Sequence, residues 1–307
     1  MQVHFGLGRL RPEWTAAVAC IGTFDGFHLG HQEVVRSAVQ MAHSKELPAT
    51  LVTFDRHPAA VLAPSKTPAP IASLEANLAV AKSLGIDLAL VLPFDASLSR
   101  MSADEFFQAV LVGGLNAQHL VVGHDFAFGN GREGTTQWLE SRVETTVVPP
   151  FQIDGQRVSS TIVRKLVQDG EIESANRMLG RPFEITGFVI SGQQLGRTLG
   201  FPTVNLARSF DQVLPRDGVY AAIAETVHGE YAAALAIGLR PAVDGKSRTI
   251  EAFLMDYPSH SLYGTSVRLK LQHFLRPELN FPSLAALTDQ MAQDILNIRE
   301  LFASSKA

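Results

Sequence analysis

Two imidazoles lie three residues apart in the stretch Ile21 to Gln32, IGTFDGFHLGHQ. His28 and His31 are separated by Leu29-Gly30 and preceded by Gly22, Phe24 and an Asp25-Gly26 pair. The apolar run before Asp25 predicts a strand, Asp25-Gly26 a tight turn, and the residues from Gly30 onward a helix. A helix start presents unpaired N–H groups and partial positive charge, which attract phosphate. Two flanking imidazoles would add donors for the charge that develops when a phosphate is attacked. A lone histidine more readily satisfies a buried backbone group, but a pair at this place favours phosphate chemistry. Zinc fits poorly, because no cysteine or helix-spaced carboxylate completes a tetrahedral set.

Three further clusters carry possible chemistry. In VSSTIVR, Val158 to Arg164, Ser160 and Thr161 stand at the start of a short helix that ends at Gly170. They could cap it and offer hydroxyls to phosphate, while Arg164 supplies a fork for a leaving diphosphate. Arg157, just before, could face ligand or solvent. The segment GQQLGRTLGFPTVNL, Gly192 to Leu206, holds Gly192, Gly196, Arg197 and Gly200 and ends in Pro202-Thr203-Val204-Asn205. Its glycines would let backbone N–H groups approach phosphates. A Thr203 hydroxyl and an Asn205 carbonyl are the oxygen donors that magnesium accepts beside a nucleotide. Glu251 lies in an alternating strand on the same face as Phe253, Met255 and Tyr257, a partly apolar setting suited to a general base.

These groups need rigid elements to hold them. The segments AAVACIGTF, ATLVTFD, LALVLPF, HLVVGHDF and TTVVPPF alternate with helical stretches and predict a doubly wound, mostly parallel α/β sheet. Ser102 and Glu105 form a capping box, and Gly85 follows a helical stretch over Leu74 to Leu84. Ligands of such a sheet collect at strand C-termini. At Gly180-Arg181-Pro182 the period changes from helical to two. Strands over Ile185 to Ser191, Val219 to Thr226, Glu230 to Ile237, Thr249 to Tyr257 and Ser266 to Gln272 predict an antiparallel β-barrel, with His228-Gly229 as a hairpin turn. A terminal amphipathic helix carries Leu284, Leu287, Met291, Ile295, Ile298 and Phe302 on one face. Two domains follow, 1–182 and 183–307.

Composition closes off other classes. The chain has 307 residues, a net charge of -4 and no basic run with interleaved aromatics, which removes the footprint of a nucleic-acid binder. Cys20, the single cysteine, implies neither disulfides nor a thiolate metal site and reads as a buried strand residue. No apolar run reaches the roughly eighteen residues of a spanning helix and the N-terminus lacks a signal core, so a cytoplasmic protein without membrane association is expected. No obligate protein partner is evident. Gly129, Gly131 and Gly134 satisfy G-x-G-x-x-G, but they follow Asp125-Phe126-Ala127-Phe128 in the fourth βα unit and not the first strand. Gly245-Lys246-Ser247 resembles the end of a phosphate loop, yet Arg240 occupies the place of its first glycine, and a hairpin loop is the better reading.

The His28/His31 segment resembles the H-x-G-H motif of the nucleotidyltransferase superfamily. With Thr53 to Pro58 (TFDRHP), VVGHDFAFGNGREG from Val121 to Gly134, and VSSTIVR, it is similar in order and spacing to the adenylyltransferase half of bacterial bifunctional riboflavin kinase/FAD synthetases. The Pro202 to Asn205 element and Glu251 resemble the kinase half. The resemblance implies ATP-dependent phosphorylation of riboflavin to FMN, then adenylylation of FMN to FAD with release of pyrophosphate, both with Mg²⁺. It implies contacts to substrate or nucleotide at Gly22, Phe24, Asp25, Gly26, Gly30, Asp55, His57, Asp125, Arg157, Ser160 and Thr161. In the kinase half it implies them at Gly192, Gly196, Arg197, Gly200, Pro202 and Arg276, with Thr203 and Asn205 on the metal. His28, His31, Arg164 and Glu251 would be catalytic. Ala127 and Ala242 stand where the family pattern has Arg and Thr.

Overall fold

A computed structural model describes residues 1–8, 14, 16–192, 200–239, 248–258 and 260–304. The chain divides into two compact units, residues 1–160 and 161–307.

In the first unit, six parallel strands form one sheet: β1 (Gln2–Phe5), β2 (Val18–Ile21), β3 (Ala49–Phe54), β4 (Leu88–Leu92), β5 (His119–Gly123) and, after the small hairpin β6 (Ala127–Phe128) and β7 (Gly134–Thr135), β8 (Glu144–Val148). Their order is β1-β4-β3-β2-β5-β8. β2 and β4 are buried along their whole length, as central strands covered on both faces must be. The helices are α1 (Leu29–Lys45), α2 (Ala59–Leu62), α3 (Leu74–Ser83), α4 (Ala103–Phe106) and α5 (Thr136–Glu140). The Ser102/Glu105 capping box is formed in full at α4. From β2 the chain winds to β3 and β4 on one side and resumes at β5 on the other, so the switch point lies between β2 and β5. A further hairpin pairs β9 (Gln152–Ile153) with β10 (Gln156–Arg157). Cys20 is buried in β2, as the sequence implies, and burial pushes its thiol up to about 12.

The second unit contains α6 (Ser160–Asp169) from Thr161 onward and α7 (Ile172–Leu179), whose end is closed by Gly180 at φ 69. Then come β11 (Phe183–Ile190), β12 (Thr203–Arg208), β13 (Gly218–Thr226), β14 (Gly229–Leu239), β15 (Arg248–Leu254), β16 (Ser266–Arg276) and α8 (Leu284–Ser304). The six strands close an antiparallel barrel in the order β11-β12-β15-β14-β13-β16. α7 groups with the barrel because Asn176 joins both: its Nδ2 donates to the Leu271 carbonyl (2.9 Å) and its Oδ1 accepts from the Phe183 N–H (2.7 Å).

The apolar stripe of α8 packs through Ile298, Ile295 and Phe302 against Ala221, Met255 and Phe253. Leu284, counted on that stripe from spacing alone, is exposed. Asp294, only 4% exposed on the same helix, receives Nε and Nη2 of Arg276 (3.0 and 2.7 Å). Asp294→Ala would leave a largely buried guanidinium without its counter-charge, which costs about 3–5 kcal/mol. Urea denaturation followed by a reporter in the barrel should show its midpoint lowered, while the transition of the first unit stays in place.

Candidate active sites

In the first unit the histidine segment begins with a contorted turn. Phe24, Gly26 and Phe27 all have positive φ (47°, 75° and 44°), a conformation that costs a non-glycine residue of the order of 1 kcal/mol. Packing holds it. The Phe24 and Phe27 rings stack at 5.2 Å, and Ile71 lies so close to Gly26 that a Cβ there would sit 2.8 Å from it. The Asp25 carboxylate accepts from the Ile71 N–H (2.9 Å), and its carbonyl accepts from the Ser160 hydroxyl (2.9 Å). Asp25 thus ties the turn to the loop before α3 and to the start of α6. Ser160 spends its proton on this bond, a use that capping preferences did not foretell.

His28 is the N-cap of α1: its Nδ1 accepts from the His31 N–H at 3.3 Å. The two imidazoles stack nearly parallel, centroids 3.7 Å apart, and the Phe24 and Phe27 rings stand at 72° to His31 with centroids 5.3 and 6.3 Å away. Gly30 permits this, since a Cβ there would meet the His28 ring at 3.2 Å. Burial first, and the neighbouring His28 second, hold the His31 imidazole well below its ordinary range. His31 is therefore neutral at pH 7. A histidine whose folded pKa is depressed takes up protons more readily in the unfolded chain, so its linkage favours the fold above about pH 6.5 and opposes it as pH falls. Thermal unfolding of the first unit should show a midpoint that drops from pH 7 toward pH 5, and His31→Gln should flatten that slope.

A cavity of about 660 Å³ opens at the switch point, within the range of small-molecule sites. Its wall includes Gly22 and Phe24 after β2, His31 from the first turn of α1, His57 after β3, and Asp125 and Phe128 after β5. His28, Asp25, Gly26 and Gly30 are not part of that wall. Asp125 pairs with Arg157 at 2.5 Å. Burial would raise the Asp125 carboxyl, but Arg157 and His124 outweigh it and hold it below the usual carboxylate range. Asp55 behaves likewise, with burial overcome by Arg56 and the Phe94 N–H. His57 accepts from the Ala59 N–H through Nδ1 (3.1 Å). Thr161 and Arg164 lie further along α6, in the part grouped with the second unit.

Phe94, Leu98 and Met101, which follow β4, also line the cavity and carry no motif. Only the adjacency of β4 to β3 could have announced them. The G-x-G-x-x-G glycines belong to the β6/β7 hairpin: Gly129 and Gly131 have φ of 76° and 64°, and a Cβ on Gly129 would lie 2.5 Å from the Ala103 nitrogen. They serve a turn that closes over α4.

In the barrel, register decides the geometry. Asn205 of β12 stands directly opposite Glu251 of β15, and Thr203 opposite Phe253. Directly opposed residues in an antiparallel pair share a face, with Cβ atoms about 4.5–5.5 Å apart. Thr203, Asn205 and Glu251 therefore project from one patch on the outside of the barrel, while Ile250, Ala252 and Leu254 fill the inside. Gly192 lies against Asn205 so closely that a Cβ would fall 2.4 Å from its amide nitrogen, so only glycine leaves that side chain its place. Phe201 meets Phe253 edge-on at 5.6 Å beside the patch, a contact the motif did not announce. The alternation expected to carry the face of Glu251 on to Tyr257 ends at Leu254. Asp256 takes φ 57°, and Tyr257 turns away to meet Tyr231 edge-on. Gly200 has φ 85°, and Pro202 immediately precedes β12. Arg276 is engaged by Asp294 and lies 5.9 Å from the Phe281 ring. Gly196 and Arg197 lie outside the described residues, as do Arg240, Ala242 and the Gly245-Lys246-Ser247 loop.

Comparison with known proteins covers both units. A family model described as FAD synthetase matches residues 10–162, and one described as riboflavin kinase matches residues 179–302. The bifunctional riboflavin kinase/FMN adenylyltransferase of Listeria monocytogenes is 35% identical over 95% of this chain and 95% of its own. That of Haemophilus influenzae is 34% identical over 99% and 100%. A solved Streptococcus pneumoniae structure, named a macrolide-efflux protein, superposes with a TM-score of 0.90 at 29% identity, covering 97% of this chain and 99% of that one. Among the described residues of this chain, no helix is long and apolar enough to cross a membrane.

Proposed function

The chain belongs to the bifunctional riboflavin kinase/FMN adenylyltransferase family, and from that premise we propose how its residues divide the work. The enzyme phosphorylates riboflavin to FMN with ATP and adenylylates FMN to FAD with release of pyrophosphate. We assign phosphoryl transfer to 183–307 and adenylyl transfer to 1–182.

The observation that carries the kinase assignment is the pairing of Glu251 with Asn205. Glu251 takes the proton of the ribityl 5'-hydroxyl as that oxygen attacks the γ-phosphorus of ATP. Thr203 and Asn205 offer two oxygens on the same patch, a donor set that suits Mg²⁺, which neutralises phosphate charge when bound. Gly192 and Gly200 keep the neighbouring backbone open to the phosphates. Arg276, tied to Asp294, anchors the segment that follows β16 on the flavin side.

In the first unit the attacking FMN phosphate is already an anion and needs no base. Positioning and charge stabilisation do the rest. His31 meets the phosphate chain from the cavity wall, with His28 stacked behind it and the α1 N-terminus beneath. The backbone N–H of Ser160, with Thr161 and Arg164, serves the departing pyrophosphate. Asp125, Arg157 and the Phe126 to Gly134 loop hold FMN, with His57 on the wall after β3 and Asp55 behind it.

Chromatography of products after feeding riboflavin or FMN with Mg-ATP tests the reading. FMN and then FAD should appear from riboflavin, and FAD alone from FMN. Excess chelator should slow both steps at least about a hundredfold, given the several kcal/mol that a metal lends to phosphoryl charge. Full activity in chelator, or AMP transferred to an acceptor other than FMN, would remove it.

A further inference from the structure

The two histidines of the first unit are not equivalent in what they can do with a proton. His28 Nδ1 accepts the His31 N–H, so that nitrogen carries no proton, and protonating it would break the cap of α1. His31 differs. Its ring lines the cavity, while its Nδ1 is sealed from solvent and has no hydrogen-bond partner among the described residues. A buried polar atom left unpaired is costly, and such atoms in native folds call for a ligand or a catalytic purpose. Desolvation, with His28 second, favours the neutral ring.

The other ionisable groups on the cavity wall leave His31 as the site that responds to added negative charge. Asp125 is paired with Arg157, and Arg132 donates to the Asp125 carbonyl at 3.3 Å. His57 has its Nδ1 committed to the Ala59 N–H. Asp55, behind the wall, is held by Arg56 and the Phe94 N–H. Of the histidines on this wall, His31 alone has a ring nitrogen that is both sealed and uncommitted, and it sits at the start of α1, where a polyphosphate is drawn.

We propose that binding of a nucleoside triphosphate in this cavity takes up one proton from solvent, and that His31 receives it while His28 stays in its Nε2–H form. This rests on the reading that the first unit binds ATP at the switch point. The anion supplies a counter-charge that offsets the desolvation of the buried ring, turning His31 into an imidazolium as the phosphates arrive. The proton returns to solvent when pyrophosphate leaves, so the cycle balances. The stacked pair then divides two tasks, a fixed neutral donor in His28 and a charge that exists only while phosphate is bound in His31.

The test is ¹⁵N NMR of the full chain labelled at histidine, at about pH 7.5 where phosphate pKa values near 6 are already passed, with and without Mg-α,β-methylene-ATP. His31→Gln and His28→Ser, each of which removes one pair of signals, provide the assignments. The expected result is that both His31 nitrogens move to imidazolium shifts on binding while His28 Nδ1 keeps the shift of an unprotonated nitrogen. The affinity read from first-unit signals should weaken with rising pH toward about tenfold per unit, the limit for uptake of one proton. The wild-type pH slope stands even if a variant fails to fold. Perturbed His28 signals with His31 still neutral and an affinity independent of pH would overturn the inference while leaving ATP binding intact. No response at either histidine would overturn the ATP-site reading as well.

Discussion

Replacing either His28 or His31 by alanine is expected to stop FAD formation while FMN formation from riboflavin continues. Loss of one preorganised donor at a developing phosphate charge lowers turnover by about 10²–10³. His31→Ala removes the ring on the cavity wall. His28→Ala removes the ring stacked on it at 3.7 Å and the cap of α1, itself worth about 1 kcal/mol. His28→Ser separates the two contributions, because serine restores a cap without an imidazole. Assays with FMN and with riboflavin as separate substrates check the outcome. Recovery of FAD synthesis in His28→Ser would reduce His28 to a capping residue, and equal loss of both activities in any of these variants would contradict independent sites.

Glu251→Gln is expected to give the mirror image: FMN formation falls by about 10²–10⁴, the span attributed to general-base catalysis, and FAD formation from supplied FMN is unchanged. Glutamine keeps the size of the side chain and its place opposite Asn205, so the barrel register is undisturbed. Steady-state rates with riboflavin and with FMN decide it. A variant within about twofold of wild type in riboflavin phosphorylation would make Glu251 a surface residue of β15, since substitutions outside functional sites have small effects.

Much of the chemistry was legible because it is encoded over short spans. The turn and helix start of the His28/His31 segment, the capping box at Ser102, the glycine stop at Gly180 and the alternation of β16 each involve neighbours within a few residues. β1 was missed because four largely exposed residues give no period, and its pairing with β4 is a contact across most of the first unit. β12 was missed because a glycine-rich approach and a proline read as loop, although the barrel needs a strand there to bring Thr203 and Asn205 to β15.

Residue type and local spacing by themselves determined which groups the chain has for phosphate chemistry, where several of its helices begin or end, and that a parallel sheet is followed by an antiparallel barrel. Tertiary structure alone decided how each group is used: Asp25 and Ser160 bind each other's segments, Arg276 answers a buried Asp294, and Glu251 faces Asn205. The reason is that a side chain's partner is set by which distant backbone N–H groups and charges come within about 3 Å. That depends on strand order and register, which no local pattern specifies.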